Sequence, residues 1–285
     1  MANLNSIKNR INVIDNTKKI TNAMQLVSTA KLRRIRTEFE SIQTYLNSLN
    51  EMFRELASHV EPREFYSIFP KNTNVDSDLH IIITSDLGLC GSYNTNIVKL
   101  LKETLKPSDK IIVLGGKGLA LLHSFKYDEQ VISKYTELGD KISYEIGSVV
   151  SKKAFEEYSN KRVVNIYIYY TEFINNITQE AKKIKLFPLD IESENASVQA
   201  RNTIEFEPNS EVVLKNSIPL YLASMIYGLA TGSKVSEIAS RRNAMENATN
   251  NATDLVDELR LQFNRKRQGN ITQEINEIVA GADAA

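Results

Sequence analysis

"LNSIKNRINVIDNTKKITNAMQLVSTAKLRRIRTEFESIQTYLNSLNEMFRELAS", Leu4 to Ser58, decides how this chain is read. Its apolar residues fall at Leu4, Ile7, Ile11 and Ile14, resume at Met24, Val27, Leu32 and Ile35, and continue through Phe39, Ile42, Leu46, Leu49, Phe53 and Leu56. Steps of three and four make a seam with a period of about 3.5 residues, the pattern of a helix wound on a partner helix. Neither proline nor glycine interrupts it before Pro62. Such a helix would reach roughly 80 Å at 1.5 Å per residue. A compact domain cannot cover that length, so part of it is expected to project.

The other end of the chain repeats the pattern. Leu222, Met225 and Leu229 lead into Val235, Ile238, Arg242, Met245, Ala248, Ala252, Leu255 and Leu259. Pro219 suits a helix start, and nothing breaks the helix before Ala280, although Gly228, Gly232 and Gly269 weaken it. Its length would be roughly 90 Å. Each helix carries one apolar stripe that it cannot remove from water alone, so the two ends are expected to pair antiparallel as a coiled coil. The small residues Ala244, Ala248 and Ala252 allow close approach.

Between the helices the period changes. "DLHIIITS" (Asp78–Ser85), "KIIVLGG" (Lys110–Gly116) and "RVVNIYIYY" (Arg162–Tyr170) are continuous apolar runs suited to strands buried on both faces. Helical stretches at Asn94–Lys106, Lys117–His123 and Lys141–Ser159 alternate with them. That order implies an α/β domain with a mainly parallel, Rossmann-like sheet. "AKKIKLFPLD" (Ala181–Asp190) suits an edge strand, where Pro188 is tolerated. The expected organisation is a coiled-coil helix over 1–58, a linker over 59–77, the α/β domain over 78–190, a return loop over 191–210 and a second coiled-coil helix over 211–285.

Bulk composition narrows function. The chain has 285 residues, with 35 Lys plus Arg against 35 Asp plus Glu, so no global field marks a nucleic-acid binder. Locally the balance fails: Lys8, Arg10, Lys18, Lys19, Lys31, Arg33, Arg34 and Arg36 face the single anion Asp15. That strip is either a solvated helix face or a docking surface for an acidic partner. Cys90 is the only cysteine, which leaves no internal disulfide and no thiolate metal site. No apolar run approaches the roughly 20 residues of a membrane span.

Chemical motifs are sparse. "VLGGKGLA" (Val113–Ala120) tempts a phosphate-loop reading, but its glycines are clustered and Gly118 follows Lys117 where a Ser or Thr belongs. A tight strand–helix turn is the plain reading. His59, His80 and His123 have no paired spacing for a metal. "NRKRQ" (Asn264–Gln268) carries cations for a nucleic-acid contact but no aromatic ladder. No acid, base and nucleophile assemble, so the chain is not expected to be an enzyme, and no cofactor or metal is expected. A nucleotide-binding α/β protein with a coiled-coil arm and a nucleic-acid-binding rod stay open as rival readings.

Three stretches together resemble the γ subunit of rotary F-type ATP synthases. They are Leu4–Arg34, "TSDLGLCGSYNTNI" (Thr84–Ile97) and "SRRNAMENATNNATDLVDELRLQFNRKRQGNITQEINEIVAGA" (Ser240–Ala282), in the family's order and spanning nearly the whole chain. The resemblance implies a rotating shaft inside a hexamer of α and β subunits that hold the catalytic sites. It implies an α/β domain against the ε subunit and the c-ring, no nucleic acid, and only indirect membrane contact at the cytoplasmic face of the cell membrane. By match to the family pattern, Met24, Arg241, Gln268, Thr272, Gln273 and Glu274 would contact β, and the strip Lys18, Lys19, Lys31, Arg33, Arg34 and Arg36 would meet acidic loops. Ser85, Asp86, Gly88, Leu89, Cys90, Gly91 and Asn94 form the signature turn. The family usually has arginine at Leu87, glycine at Ser92, lysine at Asn22 and methionine at Arg242. A divergent copy of the shaft driving other work is the alternative within this resemblance.

Overall fold

A computed structural model describes residues 4–189 and 206–283. The chain divides into two compact units, Ala30–Ser240 and, from its two ends, Met1–Thr29 with Arg241–Ala285. Both draw on the same two helices, α1 (Leu4–Ser58) and a C-terminal helix that begins at Ser210 and ends at Asp283.

The larger unit is built on β1 (Leu79–Ile83), β2 (Lys110–Leu114), β3 (Val131–Tyr135), β4 (Ile166–Phe173) and β5 (Gln179–Phe187). The strands lie in the order β3-β2-β1-β4-β5. The first four run parallel, and β5 returns antiparallel to β4 at the edge. Four helices complete it: α2 (Pro62–Ile68), α3 (Tyr93–Lys102), α4 (Gly116–Ser124) and α5 (Tyr144–Ser159); the C-terminal helix is α6.

The continuous apolar runs are explained by two covered faces. On one, Ile81, Ile83, Ile112, Leu114 and Ile168 pack with Val150 and Ala154 of α5, Ile218, Leu222 and Ile226 of α6, and Leu46 and Phe53 of α1. On the other, Ile82, Ile111, Val113 and Tyr169 pack with Ile97, Val98 and Leu101 of α3 and Leu122 of α4. Alternate residues of each strand thus serve opposite cores.

Within this unit α1 and α6 run antiparallel. Leu32 and Ile35 pack on Val235, Ile238 and Ala239, and Phe53 meets Tyr221 at a ring separation of 4.3 Å. Gly228 and Gly232 prove to be seats rather than weak points. A Cβ on Gly228 would fall 2.0 Å from Leu46 Cδ1, and one on Gly232 2.8 Å from Phe39 Cε2.

In the terminal unit the pairing is also antiparallel. Thr21 Oγ1 lies 2.8 Å from Thr249 Oγ1, and Arg260 approaches Asp15 at 3.8 Å. The α1 seam here differs from the expected one. It passes through Lys18, Thr21, Gln25 and Ser28, all half-buried or buried, whereas Val27 is 54% exposed. A strict repeat of three and four carries Ile14 to those polar positions, and Val27 falls outside it. Opposite, Val256 at 2% exposure takes the place expected of Leu255, beside Met245, Ala252 and Leu259.

Other expectations need correction. Pro219 lies inside α6, which begins nine residues earlier at Ser210. The Asn209 side chain accepts the Val212 N–H at 2.9 Å and caps the start, and burial of Leu214, Ile218 and Leu222 offsets the interior proline. The linker expected over 59–77 contains α2, anchored by the fully buried Phe65. Strand β3 was not anticipated. The return loop expected over 191–210 lies mostly outside the described residues. A stretch of α6 is apolar enough by length and composition to pass for a membrane span, with mean hydropathy 1.3, but half of it is buried in the fold.

Candidate functional site

The signature turn sits where β1 ends and α3 begins, and most of its side chains bond inward. Asn94 Oδ1 accepts the Ser85 N–H at 2.9 Å, while its Nδ2 donates to Ser85 Oγ at 2.8 Å and to Cys90 Sγ at 3.3 Å. Ser85 Oγ donates to the Leu87 carbonyl at 2.7 Å. Asp86 accepts the N–H groups of Gly116, Glu137 and Leu138 at 2.9, 3.0 and 2.8 Å, tying three segments together. Gly91 takes φ +59 as the turn demands, and Leu89 takes φ +62 without being glycine. Leu87 and Leu89 are 70% and 61% exposed. Ser85, Asp86, Cys90, Gly91 and Asn94 therefore build the turn, and Leu87 and Leu89 face outward beside Gly88.

The same bonds dispose of the phosphate-loop reading. Gly115 N–H donates to Tyr135 O, Gly116 N–H to Asp86, Lys117 N–H to Ser85 O and Gly118 N–H to Thr84 Oγ1. A phosphate is held by free N–H groups at a helix start, and those of this loop are already engaged. Asp86 supplies the anion that a nucleotide would otherwise bring. Among the described residues no cluster of His, Cys, Asp and Glu could hold a metal.

The basic strip divides by unit. In the larger one, Lys31 pairs with Asp140 at 2.7 Å, an ion pair that holds the Asp140 carboxyl below its usual range. Arg36 donates to Glu40 at 3.0 Å. Arg33 and Arg34 are exposed. In the terminal unit Lys19 is exposed and Lys18 half-buried on the seam. Two of the strip's cations are thus spent on the chain's own carboxylates. Arg33, Arg34 and Lys19 point to solvent.

The β-contact candidates all fall in the terminal unit. Met24 and Arg241 are half-buried, whereas Gln268, Thr272, Gln273 and Glu274 are exposed. Thr272 Oγ1 donates to the Gln268 carbonyl at 2.9 Å, and Gln273 Nε2 to Glu277 at 2.9 Å. Arg242, on the seam where an apolar residue was expected, is half-buried and donates to Asn243 Oδ1 at 2.8 Å. The adjacent side-chain oxygen takes up its guanidinium within the seam.

Sequence reasoning missed a second apolar stripe. Val13, Ile20 and Val27 recur every seven residues on the outer face of α1, at 64%, 61% and 54% exposure. Leu26 and Leu261 are exposed in the same unit at 63% and 60%. The register of Thr21 on Thr249 and Asp15 on Arg260 brings the start of α1 level with about residue 270 of α6. Beyond Asn270 every residue described to Val279 is exposed, including Ile271, Ile275 and Ile278. The seven-residue spacing is visible in the sequence, but of the three only Val27 falls on the expected seam, and Val13 and Ile20 have no place on it.

Comparison with known proteins agrees with this geometry. A family model described as ATP synthase matches residues 3–285. The chain is 48% identical to the ATP synthase gamma chain of Mycoplasmopsis synoviae (strain 53), over 100% of this chain and 99% of that one. A chain of the Tetrahymena thermophila mitochondrial ATP synthase central stalk and c-ring structure superposes with TM-score 0.62 and 25% identity, covering 80% of this chain and 99% of that one. A chain of the Euglena gracilis mitochondrial ATP synthase superposes with TM-score 0.74 at 18% identity, covering 99% and 94%, and shares the fold.

Proposed function

The chain belongs to the ATP synthase gamma-chain family, and from that membership we infer that it is the central rotating shaft of an F-type ATP synthase. It is a non-catalytic subunit. Catalytic sites belong to the α and β subunits of the surrounding hexamer, and the shaft couples its rotation to their conformational cycle. Each angular pose would favour one set of open and closed β subunits, so the coupling is a difference in contact free energy between poses.

The observation that carries this reading is the outward stripe of Val13, Ile20 and Val27 in the terminal unit. Pairing of α1 with α6 does not need it, and exposed apolar side chains repeated along a helix mark a covered surface. The solitary end of α6, with Ile271, Ile275 and Ile278 on one side, fits the same account as a tip held in a sleeve. Its polar neighbours Gln268, Thr272, Gln273 and Glu274, together with Met24 and Arg241, are the proposed β contacts. Exposed ion pairs, worth about 0–1 kcal/mol each, favour register without locking, a suitable role for Lys19, Arg33 and Arg34.

We assign the α/β domain over 78–190 to the c-ring and ε subunit, and the helices over 1–58 and 211–285 to the hexamer. As a gamma chain the protein is a peripheral part of a membrane complex, placed by this reading at the cytoplasmic face. Purification of the complex through this chain tests the proposal. The expected composition is three copies of each of two larger subunits per copy of this one, with no ATP hydrolysis by the chain alone. A stoichiometric homodimer as the working state would overturn it.

A further inference from the structure

In the α/β unit a line of hydrogen-bonding side chains runs from the buried Asp109, His80 and Tyr169 out to the half-buried Lys183 and the exposed Thr104. His80 on β1 is 1% exposed. Its Nε2 lies 3.0 Å from Asp109 Oδ2, and its Nδ1 lies 3.1 Å from the Tyr169 hydroxyl on β4. That hydroxyl is 2.9 Å from Thr104 Oγ1, just past the end of α3. Thr104 in turn accepts a bond from Lys183 Nζ on β5 at 3.1 Å. The His80 ring stacks on Tyr167 at 5.8 Å, and the Lys183 ammonium sits 4.1 Å above the same Tyr167 ring. Five segments of the unit therefore meet in one line.

Donor and acceptor accounting orients every proton in it. Asp109 already accepts the Asp78 N–H on Oδ1 at 2.8 Å and the Lys106 N–H on Oδ2 at 2.7 Å, so it is the accepting end. It requires the proton of His80 on Nε2. A neutral ring then offers Nδ1 as acceptor, and Tyr169 supplies the O–H. Tyr169 oxygen accepts from Thr104, and Thr104 oxygen from Lys183, which has only donors.

We propose that this line is an acid-sensitive clasp of the α/β unit, with neutral His80 in its Nε2–H form as the element that acid releases. A second proton on the ring would set Nδ1–H against the Tyr169 oxygen. Tyr169 must then turn its own proton toward Thr104, whose oxygen already receives Lys183, and the exposed Thr104 hydroxyl must give up its bond to Tyr169 and turn its proton to solvent. One protonation thus disturbs contacts on β1, β4, β5 and the end of α3.

The charges facing His80 pull in both directions. Burial, the largest influence, pushes its pKa down from 6.5, and Lys183 acts the same way, whereas Asp109 and Asp78 push it up. Burial likewise lowers Lys183 and raises Tyr169 to about 12. With the folded pKa lowered, the unfolded chain takes up the His80 proton first as pH falls through 6.5. Stability is therefore whole above that pH and declines below it.

Nitrogen-resolved NMR of the imidazole in the wild-type chain tests this directly. The expected result is an Nε2–H tautomer that charges only below the ordinary histidine range. An Nδ1–H tautomer, or a charging midpoint at or above 6.5, would overturn the clasp. Melting of wild type and His80→Gln between about pH 7.5 and 5.5 gives a second reading. Wild type should lose about 2–4 °C more than the variant, and an equal loss would also overturn it. If His80→Gln does not fold, the wild-type spectra decide.

Discussion

Gly228→Ala and Leu46→Ala, singly and together, interrogate the antiparallel seat within the larger unit. The methyl of Gly228→Ala would sit 2.0 Å from Leu46 Cδ1, 2.8 Å from Cγ and 2.9 Å from Cδ2. Leu46 is only 4% exposed, so the whole isobutyl group has little room to retreat. Alanine gains about 1 kcal/mol of helix propensity over glycine, while overpacking costs about 1–3 kcal/mol. The single variant should therefore be between neutral and about 2 kcal/mol less stable. Leu46→Ala removes a buried side chain and should cost about 2–5 kcal/mol. With Leu46 truncated the new methyl meets open space, so the overpacking cost disappears. The double variant should then lose about 1–3 kcal/mol less than the sum of the singles. Urea denaturation of the full chain, followed by circular dichroism, measures all three. Additivity within about 0.5 kcal/mol would mean that Leu46 does not face Gly228, and the register would be wrong.

Further outcomes follow from other parts of the molecule. Gly269→Ala, where a Cβ would meet nothing within 4 Å, should raise stability or helicity by about 1 kcal/mol at most; a loss in thermal melting would contradict the open placement. Asp86→Ala strips the acceptor from three backbone N–H groups and should destabilise by about 2–4 kcal/mol, measured by denaturant midpoint, since charged acceptors count for more than neutral ones. An unchanged midpoint would remove Asp86 from its structural role. Arg241→Ala and Gln268→Ala should weaken coupled turnover per assembled complex more than they weaken the fold; a large drop in melting with normal turnover would refute the contact assignment. Ile20→Glu, on the outer stripe at 61% exposure, should barely alter the melting of the chain alone but weaken its retention in the complex, assayed by subunit recovery on size exclusion.

Much of the architecture was legible because its signals are periodic. The terminal helices announce themselves by the heptad, and β1, β2 and β4 by apolar runs that two covered faces require. Where the period is carried by polar residues the reading fails. Lys18, Thr21, Gln25 and Ser28 hold the seam of the terminal unit, and a search for apolar side chains skips to Val27 instead. Strand β3 escaped because its residues are only half-buried at the sheet edge, with Lys134 exposed between Ser133 and Tyr135. Pro219 misled because local propensity was weighed without the burial of its neighbours. The glycines misled in the opposite sense: Gly228 and Gly232 lower helix propensity, yet Leu46 and Phe39 need the space.

The candidate site was legible only in part for a related reason. Resemblance finds residues, but only geometry separates those that build the turn, such as Asp86 and Asn94, from those that are exposed, such as Leu87 and Leu89. The outer stripe could have been found by asking which apolar residues the seam leaves over.

Disulfide formation in Thr21→Cys/Thr249→Cys, within the assembled complex, probes the account most directly. The two hydroxyls are 2.8 Å apart, and the only native cysteine, Cys90, is buried. Hydroxyls in contact bring the two β-carbons near the separation that a disulfide spans. The expected result is rapid, near-complete crosslinking within the chain. Failure to crosslink under oxidising conditions, with both thiols reactive to a maleimide, would show that the two ends of the chain do not pair.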